Sequence, residues 1–322
     1  MTIYFQATER ESFKVTPGTG NAIEVTTAST FDSAYSRASL NITNSAVAER
    51  DWGTSLTSEI WFHCLFRPTN VGTGQAILTL LDSSGNAFVR ITLPSNGLLQ
   101  AQYWNGSAWT NIGSTWAFTL NTNYYLDVHV TLGASGGVEI FWNGSLVTSG
   151  SASLTAYSNL RTFQLRSNTA SVSTFWSQIQ VADVSTVNHS IATFVPSTAG
   201  TDTDGTGTNA NMTEAVTSDA TYVELTAAGQ KRSGKNSARA YTGTVRGVTV
   251  GGRLMRVDAT GPQKAKPYVL ISGTRYYGTT YTLTTGFADY SYTWQTNPAT
   301  GVEWTASDIN DADLEMGWEA VT

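Results

Sequence analysis

VEIFWNGSLV, residues 138–147, places Val138, Ile140 and Trp142 on one side of an extended chain, breaks at Asn143-Gly144, and resumes with Ser145-Leu146-Val147. Alternation with a period of two marks a half-buried strand, and Asn-Gly tolerates two successive positive φ angles, as a two-residue hairpin turn needs. The stretch therefore predicts strand, tight turn, strand. The same Trp-Asn-Gly-Ser letters recur at Trp104–Ser107, between LLQAQYW and SAWTNI, and predict a second hairpin with positive φ at Asn105-Gly106. Both sites match the Asn-x-Ser/Thr acceptor pattern, as do Asn41, Asn188 and Asn211. Without a basic and apolar leader the chain is expected to be made in a reducing cytoplasm, where that pattern is idle.

The same reading extends outward. YYLDVHVTL (124–132) turns Tyr124, Leu126, Val128, Val130 and Leu132 inward and Tyr125, Asp127, His129 and Thr131 outward. EIWFHCLFR (59–67) groups Ile60, Phe62, Cys64 and Phe66 on one face, with His63 on the other. Further strands are expected near 77–81, 88–93, 98–104, 162–166 and 175–181, at the 8–12-residue spacing of a sandwich or barrel. The totals agree. Of 322 residues only 13% are charged, and Thr, Ser, Asn and Gly take their place, which suits strands with polar outer faces better than helices. The single cysteine, Cys64, excludes an intrachain disulfide framework, and no apolar run is long enough for a membrane helix. With a formal net charge of −6 and no basic cluster among aromatics, nucleic acid is not expected as a partner; Lys231, Arg232 and Lys235 read as a solvated loop.

After Pro196 the composition changes. STAGTDTDGTGTNANMTEAVTSD (197–219) has almost nothing to bury and reads as a linker. Within it, DTDG (202–205) lacks the downstream Glu of a calcium loop and reads as a polar turn. A second strand set is expected at 222–225, 244–250, 254–257, 268–271, 290–296 and 314–321, with Thr305 or Ser307 capping one helical turn. The fold expected is all-β: two jelly-roll-like sandwiches, 1–195 and 216–322, joined by a polar linker over 196–215.

With these residues in view, the stretch from about Arg50 to Val184 resembles a laminin-G-like or concanavalin-A-like jelly roll. EIWFHCLFRP would be an early core strand, ILTLLDSSGNAFVRITL a hairpin, YYLDVHVT a central strand, VEIFWNGSLV the late hairpin, and FDSAYSRASLNIT the preceding edge. The region from about 214 on is similar to a domain found at the ends of bacteriophage virion proteins. Its YVEL strand (222–225), the KP-x-V of 266–269 and above all WQTNPATGVEWTASDIN (294–310) carry that resemblance. It implies a phage tail, fibre or head-surface protein.

The chemistry on offer is sparse. Jelly-roll glucanases present paired carboxylates two residues apart on one strand; here Glu59, Asp127 and Glu139 stand on separate strands. His63, His129 and His189 lack zinc-ligand spacing, and Asp308, Asp311, Asp313 and Glu315 read as a capped turn and a wet strand face. No catalytic residue, metal ligand or cofactor is expected. The aromatics remain. Trp104, Trp109 and Trp116 cluster about one hairpin, and Trp109 and Trp116 are the candidates for stacking on a sugar ring. The leading expectation is a non-enzymatic virion structural component, in contact with other virion proteins and copies of itself. The alternative is a receptor-binding module for a host surface glycan, and a weaker one a glycan hydrolase.

Overall fold

A computed structural model of the protein describes residues 2–7, 14–16, 22–26, 31, 38–43, 46–70, 72–157, 159–167, 173–193, 196–212, 219–236, 241–311 and 313–322. The chain divides into two compact units, residues 2–193 and 194–322.

Fifteen strands make the first unit. In chain order they are β1 (Ile3–Ala7), β2 (Lys14–Thr16), β3 (Ala22–Thr26), β4 (Ala38–Thr43), β5 (Val47–Leu56), β6 (Glu59–Asn70), β7 (Gln75–Leu81) and β8 (Ala87–Ser95). There follow β9 (Leu98–Trp104), β10 (Trp109–Ala117), β11 (Tyr124–Thr131), β12 (Gly137–Trp142), β13 (Ser145–Ser151), β14 (Leu160–Arg166) and β15 (Ser173–Ala182). One sheet runs β13-β12-β11-β6-β15-β4-β3, with β1 also on β15; the other runs β10-β9-β8-β7-β14-β5-β2. All pairings are antiparallel. The two inner faces meet in one apolar cluster. Phe62, Phe66, Leu126, Val128 and Ile140 of the first sheet belong to it with Leu78, Leu80, Val89, Ile91, Phe163 and Leu165 of the second. Cys64 lies inside it; burial first, and then the charge of Asp127, pushes its thiol well above the ordinary value.

The two Asn-Gly sites part company. At Asn143-Gly144 both residues have positive φ, 49° and 78°, and Trp142 pairs directly with Ser145, as a two-residue turn requires. At the other site Trp104 pairs with Trp109, which leaves a four-residue loop, 105–108. Only Gly106 there has positive φ; Asn105 instead turns its side-chain oxygen onto the amides of Ser107 and Ala108. The hairpin is present, but an Asn side chain rather than Asn backbone makes the turn. Beyond it, β10 breaks register between Ile112 and Trp116, with Gly113 at φ 54°, and Thr148 of β13 donates to the Ile112 carbonyl. This bulge ties the edge strand of one sheet to the edge strand of the other.

In the second unit the strands are β16 (Pro196–Thr203), β17 (Lys231–Asn236), β18 (Val248–Leu254), β19 (Lys264–Ile271), β20 (Thr274–Tyr277), β21 (Tyr281–Thr282), β22 (Ala288–Trp294) and, after the helical turn α1 (Ala306–Asn310), β23 (Glu315–Val321). A six-stranded sheet runs β16-β17-β23-β19-β20 with β21 on β19, and β18 pairs with β22 in a separate ribbon. Val248, Val250, Trp294 and Trp304 bury against Val269 and Leu314. Trp304 is 3% exposed and donates its indole N–H to the Trp294 carbonyl. Thr305 caps α1 in a reciprocal box with Asp308, as the sequence suggests.

Several expectations need correction. Pro196–Thr203 is a strand of the second unit rather than the start of a linker: its alternating Thr and Ser suit an edge with one wet face, and β17 supplies its hydrogen bonds. The rest of the expected linker runs through a 3₁₀ turn at Asn209–Met212, and 213–215 lie outside the described residues. Lys231, Arg232 and Lys235 stand on β17 between two partners, and buried Arg232 donates to the carbonyls of Thr203 and Gly207. Tyr222–Leu225 makes no strand, only an isolated bridge from Glu224 to Thr206. The strand expected at 254–257 is absent, since β18 ends at Leu254, and Glu315, expected on a wet face, is buried and held by Ser233 and Thr201. In DTDG, Asp202 is consumed internally by Arg275 and the Tyr268 hydroxyl. Among the described residues no helix is long and apolar enough to cross a membrane, and no group of acidic, His or Cys side chains is arranged to hold a metal.

Two predictions follow from these contacts. A β-carbon on Gly106 meets nothing within 4 Å, whereas one on Gly144 collides with the Asn188 side chain. Gly106→Val is therefore expected to cost about 1 kcal/mol, from the φ alone, and Gly144→Val clearly more; equal urea midpoints would refute this. The second concerns acid. Burial pulls the Asp202 and Glu315 carboxyls upward. Hydrogen bonds outweigh it, from Arg275 and Tyr268 to Asp202 and from Ser233 and Thr201 to Glu315, and hold both below their ordinary values of 3.8 and 4.5. Because the folded values are the lower ones, the unfolded chain takes up protons first as pH falls. The stabilisation is complete above about pH 4.5 and drains away below it. Amide exchange in β16, β17 and β23 should quicken in that window, and Asp202→Asn should flatten the dependence.

Candidate functional site

Each strand of the first sheet has an outer face as well as an inner one, and on the central strands that face is covered too. β6 turns Trp61, His63 and Leu65 outward, and β11 turns Tyr125, Asp127 and His129 outward beside them. Asp127 stands opposite His63, their side chains 2.7 Å apart and both wholly buried. What covers them is the segment after β15. Thr186 donates its hydroxyl to the same Asp127 oxygen at 2.7 Å, Ile191 donates its amide to Gln178 at 3.0 Å, and the His189 ring meets Gln180 at 3.2 Å. Gln178 sits at φ 50° in the bulge where β15 shifts register between Ser177 and Gln180, which aims it toward this segment. A buried carboxylate with a histidine and a hydroxyl for partners is a fixed post. The pair is sealed from solvent, and His63 Nε2 and Asp127 Oδ2 have no hydrogen-bond partner among the described residues.

Beside this post the covering segment and the Asn143-Gly144 turn enclose a pocket of about 590 Å³, lined by Leu65, Asn123, Tyr125, Asn143, Gly144, Gln178, Asn188, His189 and Ser190. The turn is held from below: Asn143 accepts from the Tyr125 amide through its side chain and donates its own amide to the Tyr125 carbonyl, both at 2.9 Å. Asn188, at φ 64°, presses against the glycine of the turn from the other side. The Tyr125 ring lies nearly parallel to the buried His63 ring, centroids 5.6 Å apart. No Asp, Glu, Lys or Arg lines the pocket. Its chemistry is amides, a hydroxyl, an imidazole and one aromatic ring.

Of the residues singled out in the sequence, neither tryptophan lies here. Trp116 is 6% exposed and packs in the core, its ring centroid 6.2 Å from that of Trp142, so it has no face to offer a sugar. The reason is the bulge before it, which turns Trp116 back to pair with Leu99. Trp109 is half-buried on the opposite sheet, edge-on to Trp104 and covered by the Arg90 guanidinium 4.1 Å from its centroid. Glu59 and Glu139, apparently solitary in the sequence, close on the two ring nitrogens of His129 at 2.8 Å each, while Trp61 stacks on the ring at 4.1 Å. Those partners lie far apart along the chain, and only the β6-β11-β12 register brings them together. The one signal for the pocket was Asn143-Gly144 itself, read as a turn and not as a wall.

No family model matches the chain, and no curated protein does. Solved structures resemble the chain over about half its length. The globular domain of T. cruzi calreticulin is 9% identical over 57% of this chain and 89% of its own, with a TM-score of 0.45. An endo-β-1,4-glucuronan lyase from the fungus Trichoderma reesei is 11% identical over 57% and 96%, TM-score 0.46. A carbohydrate esterase from Shiga toxin-encoding bacteriophage phi24B is 15% identical over 56% and 97%, TM-score 0.42. At such identities and scores nothing of their activities passes to this chain.

Thr186→Val keeps the shape but removes a donor from buried Asp127. It is expected to cost about 1–3 kcal/mol and to quicken proteolysis within 183–193 before the rest of the unit. A variant as stable and as resistant as the parent would show that the covering segment is held by something else.

Proposed function

We propose that this chain is a glycan-binding component of a bacteriophage particle and that the Tyr125 pocket receives one uncharged sugar unit. The observation that supports it is the composition of the pocket wall. Asn123, Asn188 and Ser190 have no hydrogen-bond partner among the described residues, and Asn143 uses only its oxygen, on the Tyr125 amide. Each amide carries a donor and an acceptor side by side, the complement of neighbouring sugar hydroxyls, and the Tyr125 ring offers an apolar face. Absence of charge in the wall favours a neutral unit. The sealing of His63 and Asp127 leaves no acid–base pair at the pocket, so binding without turnover is the reading adopted. The particle setting rests on the resemblance of the 294–310 block and on nothing in the pocket. In that setting a weak site becomes useful by repetition, since linked copies raise avidity by orders of magnitude without a new contact.

The test is a screen of neutral oligosaccharides against the whole chain, displayed in many copies on beads, followed by titration of any ligand found. Tyr125→Ala and Asn188→Ala are expected to weaken binding by roughly tenfold each, with unfolding midpoints near the parent's, and the sugar should be recovered at unchanged mass. Binding that both variants retain would move the site elsewhere. Retention by no neutral sugar at all would remove the reading.

A further inference from the structure

The outer face of the second sheet carries a feature that the Tyr125 pocket does not explain. Register aligns six polar side chains in one row across six strands. Asn111 of β10 stands opposite Gln102 of β9, Gln102 opposite Arg90 of β8, Arg90 opposite Thr79 of β7, Thr79 opposite Gln164 of β14, and Gln164 opposite Glu49 of β5. Five inter-strand gaps of about 4.8 Å make a track roughly 24 Å long. Much of it is already locked by its own hydrogen bonds. Arg90 Nε donates to Gln102 at 2.8 Å, Gln102 donates to Asn111 at 2.8 Å, and Gln164 donates to Glu49 at 2.6 Å. Trp109 lies beneath the Arg90 guanidinium and fixes its plane.

The remainder is open and positive. The terminal nitrogens of Arg90 have no partner among the described residues. Arg166, two residues beyond Gln164 on the same face, makes no hydrogen bond or ion pair there, and its Nε is shielded from water without an acceptor. Thr79 Oγ, 1% exposed and seated in the row between them, also lacks a partner. Two guanidinium groups thus share one face, neither of them in an ion pair among the described residues, and the one carboxylate of the row, Glu49, is held by Gln164. Burial, and after it the charge of Arg166, lowers the Arg90 pKa, which agrees with their being close. An arrangement of this kind stores an electrostatic cost that an anion relieves, and a planar fork held by an aromatic ring and an amide is matched to a carboxylate.

We propose that this row is a second binding site, for a carboxylate-bearing polysaccharide laid across the strands, with sugar carboxylates on Arg90 and Arg166. It does not rest on the Tyr125 pocket, which lies on the other sheet. The one carboxylate in the row, Glu49, is at its end and engaged by Gln164, and the proposal is of binding alone.

The probe is oligogalacturonate titrated into the whole chain at low and at high salt, beside a neutral dextran oligomer, a dextran sulfate and single-stranded DNA. Saturable binding of oligogalacturonate is expected, weakened by salt, with none of the dextran. Arg166→Gln is the informative variant, since Arg166 makes no hydrogen bond or ion pair among the described residues: it should lose roughly tenfold in affinity at an unchanged unfolding midpoint. Arg90→Gln, which also frees Gln102, should lose at least as much, Arg166→Lys should recover part, and Tyr125→Ala should change nothing. Absence of oligogalacturonate binding, binding indifferent to Arg166→Gln, or equal binding of dextran would overturn the proposal. Equal binding of dextran sulfate or DNA would overturn it as well, by reducing the site to a diffuse positive field.

Discussion

The first unit turns on a strand that has no wet face. β6, twelve residues long, is flanked by β11 on one side and β15 on the other, and from Ile60 to Phe66 every side chain is buried, inward and outward alike. Inward this is easy, because Ile60, Phe62, Cys64 and Phe66 join the common core. Outward it is costly, because His63 must be satisfied in the dark. Asp127 from the neighbouring strand takes one nitrogen of the ring, and Thr186, from a segment that then has to fold over the sheet, donates to the same Asp127 oxygen, while His63 Nε2 and Asp127 Oδ2 stay buried without a hydrogen-bond partner among the described residues. The pocket is a by-product of that cover: its floor is Leu65 and Tyr125, and its walls are the cover and the nearest hairpin turn.

How much of this was legible in the sequence depends on the distance over which each fact is decided. Alternation is decided locally, so the strands at 59–70, 98–104, 124–131 and 137–142 could be read, and so could the tight turn at Asn143-Gly144 and the Thr305 cap. The Asn105 loop could not, because the same dipeptide closes two residues or four according to which flanking residues pair. Pro196–Thr203 looked like a linker since it has nothing apolar to bury; its strand character comes from β17, far along the chain. The same holds for charge. Glu59, Glu139 and His129 look isolated until three strands align them, and the row from Asn111 to Glu49 exists only as a product of five registers. Trp109 and Trp116 look equivalent in sequence, and one bulge sends them to opposite sides of a sheet.

The second unit handles its polar residues differently. Its sheet is stitched by side chains that reach across strands: Glu315 takes Ser233 and Thr201, Asp202 takes Tyr268 and Arg275, and Glu319 takes Tyr277 and Lys266. With an apolar cluster of few residues, built around Trp294 and Trp304, such hydrogen-bonded carboxylates contribute a larger share of the order than in the first unit. A chain poor in charge spends what it has on internal pairs, and against that background Arg90 and Arg166, without an ion pair among the described residues, stand out.

The bulge at Gly113 reaches further than the placing of one tryptophan. An edge strand is an invitation, since its unpaired amides and carbonyls will accept any extended chain that arrives. β10 ends one sheet and β13 ends the other, at the same side of the sandwich, and the bulge together with Thr148 fastens the two to each other. That side is closed to strand addition, and Gly113 has no room for a side chain between the partners. Crowded copies of this chain therefore cannot zip together along it into an open-ended ribbon. Whatever order they adopt at high local density has to be built from faces, loops or other margins.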